Sequence, residues 1–247
     1  MKQVPERSDK EVMDLFLALQ DRRELCDLLG VAYSDLAKLL YRGAKPAPYR
    51  QFALKKKSGG LRTISAPNDD LKLIQSRLAY ILYLFYRPRN SVHGFAKGKT
   101  IASNARMHVR RGMVFNLDLE DFFPTIHIGR IIGLFKARPF NLPHEVAVML
   151  AQICTLDGSL PQGAPTSPVI SNMICVGLDK DLQSLAKATH AVYTRYADDI
   201  TFSSAARRLD ASIAARMGGG VVCGPALTAV IHKHGFRINI AKVRMQS

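Results

Sequence analysis

Residues 71–86, LKLIQSRLAYILYLFY, run sixteen positions without Gly or Pro and are apolar on most faces, which predicts a largely buried helix. Residues 11–30 carry the spacing of an amphipathic helix closed by Gly30, and a shorter helix is expected over 34–42. KKKSGGLRTISAP (55–67) reads as a hairpin: a basic strand, a Ser-Gly-Gly turn, and a strand with Leu61 and Ile64 that stops at Pro67. TIASNARMHVRR (100–111) predicts another helix and GMVFNLDL (112–119) a buried strand. Pro124 and Thr125 open a helix to about 137, and 142–156 gives one more. LPQGAPTSP (160–168) is a loop whose last Pro starts a helix over 169–187. In AVYTRYADDITFSS (191–204), Val192, Thr194 and Tyr196 alternate with Tyr193, Arg195 and Ala197, and Ile200 and Phe202 resume after two acids, which predicts strand, tight turn, strand. Beyond a segment containing MGGG, 226–234 are expected helical and FRINIAKV (236–243) a closing strand. The order is α+β, with no repeat and no low-complexity linker.

Charge changes this picture. Residues 36–117 hold 17 Lys/Arg against two acids, Asp69 and Asp70, while the rest of the chain holds 18 of each sign. The whole excess of +15 therefore lies in one contiguous third, as a polyanion-binding region requires and a uniform solubilising surface does not. Aromatic residues in this third, such as Phe52 and Tyr83, could stack on bases, although those in 80–86 fit a core better. The 47% hydrophobic content supports one or two globular units. No apolar run approaches the roughly 20 residues of a membrane span, and the polar N-terminus lacks a signal-peptide pattern, so a cytoplasmic protein without membrane contact is expected. Cys26, Cys154, Cys175 and Cys223 are scattered, which suits reduced thiols rather than a disulfide framework or a zinc site.

Two adjacent acids, Asp198 and Asp199, fall at the tip of the 191–204 hairpin, where their like charges repel. A second carboxylate, Asp118, ends the apolar strand in NLDLEDFFP. Each alone could be a turn acid. Side by side in one sheet they could hold divalent cations: Mg²⁺ takes oxygen ligands and bridges substrate phosphates, and two ions roughly 4 Å apart clamp an in-line phosphoryl transfer. Glu120 and Asp121 are read as solvated or helix-capping acids.

YADD within a strand-turn-strand, NLDLEDFFP upstream and LPQGAPTSP between them resemble the palm motifs of a reverse transcriptase. The closest similarity is to bacterial retron reverse transcriptases, with group II intron enzymes as near relatives. NARMH (104–108) matches the retron NAxxH pattern, and SVHGFAKGKTIASNA (91–105) matches the segment leading into it. The resemblance covers roughly residues 35–245. It implies the fingers and palm of a right-hand polymerase: an N-terminal helical segment (1–35), basic fingers (36–112) and a catalytic palm (113–247) with an antiparallel sheet and packed helices.

The resemblance also implies roles. Asp118, Asp198 and Asp199 would hold two Mg²⁺ ions. Phe123 would crowd a ribose 2′-OH and select dNTPs. Gln162 and Gly163 would lie along the nascent pair and template. Arg62, with Lys55 assisting, would meet the incoming triphosphate, and Lys242 would protonate the pyrophosphate leaving group. Asn104 and His108, four apart on the predicted helix, would either anchor it locally or contact structured RNA, with Lys56 and Lys57 adding to RNA binding. Expected partners are a structured non-coding RNA serving as template and primer, the RNA–DNA product (msDNA), dNTPs, and an effector protein or a partner that supplies a thumb. Phage defence is the family-level purpose. Retron enzymes continue into a primer-grip hairpin, a VTG-containing segment and a helical thumb, and the chain ends at Ser247 without them, so a thumbless fold is expected. The rival expectations are a non-catalytic RNA-binding module and a group II intron-type fragment.

Overall fold

The computed structural model describes residues 7–41, 48–55 and 59–247. Lys56 and Lys57 lie outside the described residues. The elements run α1 (Asp9–Ala18), α2 (Arg22–Leu29), α3 (Tyr33–Tyr41), β1 (Tyr49–Lys55), β2 (Leu61–Pro67), α4 (Asp69–Phe85) and α5 (Ile101–Arg106). Next come β3 (Met113–Asp118), α6 (Phe122–Thr125), α7 (Ile128–Lys136), α8 (His144–Cys154), α9 (Ser167–Ile174) and α10 (Val176–Ala188). The chain continues through β4 (Val192–Tyr196), β5 (Asp199–Ser204), β6 (Ala214–Met217), β7 (Gly220–Cys223), α11 (Pro225–Lys233), a 3-10 turn (Ile240–Lys242) and β8 (Arg244–Gln246).

Two compact units interleave along the chain: Met1–Arg87 with Ile126–Ile174, and Pro88–Thr125 with Cys175–Ser247. The expected segments 1–35, 36–112 and 113–247 are contiguous by contrast. This mixed arrangement of helices and antiparallel sheets is α+β. No helix among the described residues is long and apolar enough to cross a membrane. All four cysteines are free thiols.

The first unit is mainly helical. The helix expected over 11–30 is two helices, because Asp21 accepts from the N–H groups of Arg23 and Glu24 and starts α2 afresh. Gly30 ends α2 in the left-handed region, φ 63°, which glycine adopts without a Cβ clash. Phe16 of α1, Phe85 of α4, Phe135 of α7 and Phe140 form one aromatic cluster with ring centroids 5.2–6.5 Å apart. β1 and β2 pair antiparallel from Tyr49↔Pro67 to Lys55↔Leu61, as the hairpin pattern predicts.

The second unit is built on a four-stranded antiparallel sheet ordered β4-β5-β3-β8. One face is apolar, with Phe115, Leu117, Tyr193, Ile200 and Phe202 buried. α10 packs against β4 and α11. The closing strand lies later than expected: Ile238 makes a single bridge to Leu119, the 3-10 turn follows, and only 244–246 pair with β3. The β6–β7 hairpin was invisible to alternation, since its four-residue strands flank glycines at φ 57° and 81°.

Candidate active site

β3 and β5 pair so that Asp118 stands directly opposite Asp199, and β4 sets Tyr196 on the other side of Asp199. Paired residues present their side chains to the same sheet face, with Cβ atoms about 5 Å apart. The next row on that face is Thr194, Thr201, Asn116 and Arg244. The first row, and Thr201, Asn116 and Arg244 of the second, line a groove of about 350 Å³ whose walls also include Ile101, Asn104, Lys242 and Gln246. Asp198 sits in the turn itself, and its carbonyl accepts from the Leu119 N–H at 3.0 Å, which ties the two carboxylate strands together at their ends.

Electrostatics in this corner is crowded. Asp118 is buried, accepts from Lys242 Nζ at 2.8 Å on Oδ2, and receives a longer contact from Asn239 Nδ2 at 3.3 Å on Oδ1. Burial, and then the charge of Asp118, push the Asp198 carboxyl up to about 6, with Asp199 adding to the rise and Lys242 opposing it.

A hard divalent cation suits this donor set. Among the described residues, no group of three His, Cys, Asp or Glu side chains is placed to hold a metal ion by itself. Mg²⁺ does not need one: it is held by one or two carboxylates together with water and substrate phosphate oxygens. Asp118 and Asp199 supply two carboxylates on one face, and Asp198 stands beside them in the turn.

The turn that carries Asp198 is braced from behind. Ala197 takes φ 57°, a region normally left to glycine. A Cβ on Gly94 would meet the Ala197 nitrogen at 2.3 Å, so only glycine lets the 91–94 segment pack here. That segment runs along β4, with Arg195 N donating to Ser91 O and His93 N donating to Arg195 O, both at 2.8 Å. Beneath it, the fully buried Arg195 guanidinium binds both carboxylate oxygens of Asp179 on α10.

The other predicted residues fall in separate places. Phe123 is half-buried in α6, its ring 5.2 Å from Phe122 and 6.4 Å from Phe95. Glu120 is exposed and pairs with Arg237 at 3.3 Å, and Asp121 is also exposed. Asn104 lines the carboxylate groove, with its Oδ1 buried and lacking a hydrogen-bond partner among the described residues.

His108 does not share a helix face with Asn104. α5 ends at Arg106, so His108 lies past the helix rather than on its face. It is buried, with Nδ1 2.7 Å from Ser203 Oγ and Nε2 2.7 Å from Thr194 Oγ1, so both ring nitrogens are used inside the sheet. Burial holds its pKa down at about 4, which keeps it neutral near pH 7.

In the first unit, Arg62 pairs with Leu54 and Lys55 with Leu61. Strand alternation therefore puts these two exposed cations on opposite faces of the ribbon. Gln162 O accepts from Ser65 N at 2.8 Å, seating the 160–168 loop on β2. Gly163, at φ 124°, lies where a Cβ would meet Ile64 Cγ2 and Ser65 O, each at 2.9 Å. Sequence reasoning missed Arg195, Asp179 and Gly94. Arg195 could have been noticed as a charged residue at an inward position beside the two acids.

Comparison with known proteins shows the family. The family model described as Reverse transcriptase (RNA-dependent DNA polymerase) matches residues 54–247. Retron Mx65 reverse transcriptase of Myxococcus xanthus is 36% identical over 220 residues, which cover 80% of this chain and 48% of that protein. Retron Mx162 reverse transcriptase of the same organism is 30% identical, across 98% of this chain and 54% of its own length. Retron Ec86 reverse transcriptase of Escherichia coli is 38% identical over 159 residues, 63% of this chain and 49% of that protein. The chain thus spans about half the length of the curated relatives it matches.

Proposed function

We propose that this chain, which belongs to the reverse transcriptase family and to its bacterial retron type, carries RNA-directed DNA polymerase chemistry: extension of a DNA strand with dNTPs on a structured non-coding RNA, giving msDNA. The observation that carries the reading is the row Asp118–Asp199 across β3 and β5, closed by Asp198 in the turn. Asp118, Asp198 and Asp199 would hold two Mg²⁺ ions. Bound there, such ions supply positive charge to the attacking and leaving oxygens of an in-line phosphoryl transfer.

The chain's own groups would do the rest. Lys242, already a cation at the Asp118 carboxylate, would neutralise the pyrophosphate leaving group and give it a proton from Nζ. Arg62 would pair bidentately with the triphosphate. Lys55, on the other ribbon face, would assist it. Phe123 would exclude a ribose 2′-OH, while Gln162 and Gly163 would border the nascent pair. Asn104, Lys56 and Lys57 would contact RNA. An effector protein would act with it in the cytoplasm.

The test is primer extension on a primed RNA template by the purified chain. Extension that requires both dNTPs and Mg²⁺, and stops on chelation, is expected. A chain that binds the template yet adds no nucleotide with Mg²⁺ or Mn²⁺ would overturn the reading.

A further inference from the structure

Behind the carboxylate turn lies a polar network that the chemistry proposed above does not use. Arg195 is fully buried on β4, and Asp179 on α10 is 1% exposed. Arg195 Nε donates to Asp179 Oδ1 at 2.7 Å and Nη2 to Oδ2 at 2.8 Å, while the Tyr193 hydroxyl donates to Oδ1 at 2.6 Å. The third arm of the guanidinium, Nη1, donates to the carbonyl of Ala197 at 3.0 Å. Ala197 is the left-handed residue of the turn and the immediate neighbour of Asp198.

A buried ion pair is a costly way to hold a helix to a strand, since apolar side chains of the same volume often do so as well or better. What apolar packing cannot supply is a directed donor to the turn carbonyl. A planar guanidinium can grip a carboxylate with two arms and keep the third in fixed relation to them. We infer that Arg195, clamped by Asp179, is a positioning residue that sets the orientation of the Ala197–Asp198 peptide and with it the direction in which the Asp198 carboxylate presents to a divalent cation. This inference rests on the polymerase reading for its kinetic readout and on the carboxylate site alone for its binding readout.

The triple variant R195M/D179L/Y193F removes the network as a unit. R195K keeps a charge against Asp179 but cannot hold both carboxylate oxygens and the Ala197 carbonyl together. Mn²⁺ affinity of the free protein, read by electron paramagnetic resonance, should fall about tenfold in both variants while circular dichroism shows both folded. In primer extension kcat should fall by roughly 100-fold with KM for dNTP within about threefold of wild type, because the triphosphate contacts lie elsewhere. Full activity and full Mn²⁺ affinity in the folded triple variant, or a wild-type R195K, overturns the inference. A wild-type protein that binds Mn²⁺ tenfold tighter than the variants but adds no nucleotide overturns the polymerase reading and leaves the positioning claim supported. If neither protein binds Mn²⁺, both fail.

Discussion

Lys242 Nζ lies 2.8 Å from Oδ2 of Asp118, so an ammonium already neutralises one member of the carboxylate cluster. At the neighbouring Asp198, burial and then the Asp118 charge hold the carboxyl near 6 against an ordinary 3.8.

That displacement makes stability depend on pH. The folded protein binds the Asp198 proton more tightly than the unfolded chain does, so this group favours folding below about pH 4 and loses that advantage as pH rises to about 6. The cost at neutral pH is on the order of 2–3 kcal/mol in the absence of divalent cations. Chemical denaturation at pH 5 and pH 7.5 should show the metal-free protein gaining less stability over this interval than Asp198→Asn does, by about 1–2 kcal/mol. Mg²⁺ should narrow that difference. Identical pH dependence in the two proteins would assign the effect to another group.

His108 gives an opposite dependence. Held near 4 in the folded state, it must gain a proton on unfolding, so stability falls as pH drops from about 6.5 to about 4. His108→Ala should cost about 2–4 kcal/mol, since it strands the Thr194 and Ser203 hydroxyls inside the sheet. RNA affinity of the folded variant should match wild type. A variant of normal stability that loses RNA binding would restore the RNA-contact role.

Both of these depend on features that sequence alone exposes unevenly. The sheet's centre was legible because apolar alternation flanks the acids on both strands, and the YADD turn could be placed from that pattern. The register that puts Asp118 opposite Asp199 was not, because strand pairing is fixed by contacts between residues far apart in the chain. His108 was misplaced on a helix that ends two residues before it. Its ring nitrogens find Thr194 and Ser203 only after folding, and no local pattern announces such partners. The closing strand was read eight residues early because Ile238 and Ile240 alternate like a strand, whereas a 3-10 turn intervenes before pairing resumes at Arg244.

Phe123→Ala should raise ribonucleotide incorporation relative to deoxynucleotide by roughly 10-fold or more. The Phe123 ring is only half-buried against Phe122 and Phe95, so truncation opens space at the surface without emptying a core. Single-nucleotide incorporation with matched rNTP and dNTP reads the ratio. A ratio equal to wild type would make Phe123 a packing residue only.

RNA binding should weaken steeply with salt, and the basic third of the chain should carry that dependence. Each phosphate contact contributes a slope of about −0.7 to −0.9 in log K against log salt. Neutralising Lys55, Lys56, Lys57 and Arg62 together should flatten the slope by about 2–3 units, as measured by fluorescence anisotropy across a salt series. An identical slope would reduce the +15 excess to a solvated surface.

The central claim is that Asp118, Asp198 and Asp199 form one metal-dependent phosphoryl-transfer site, and Asp198→Asn tests it most directly. The substitution keeps size and hydrogen-bonding capacity but removes the charge that holds a cation. Primer extension and RNA filter binding on the same preparation should show incorporation reduced by at least about 1,000-fold with RNA affinity unchanged. Extension by the variant at the wild-type rate would contradict the assignment of this turn as the catalytic centre.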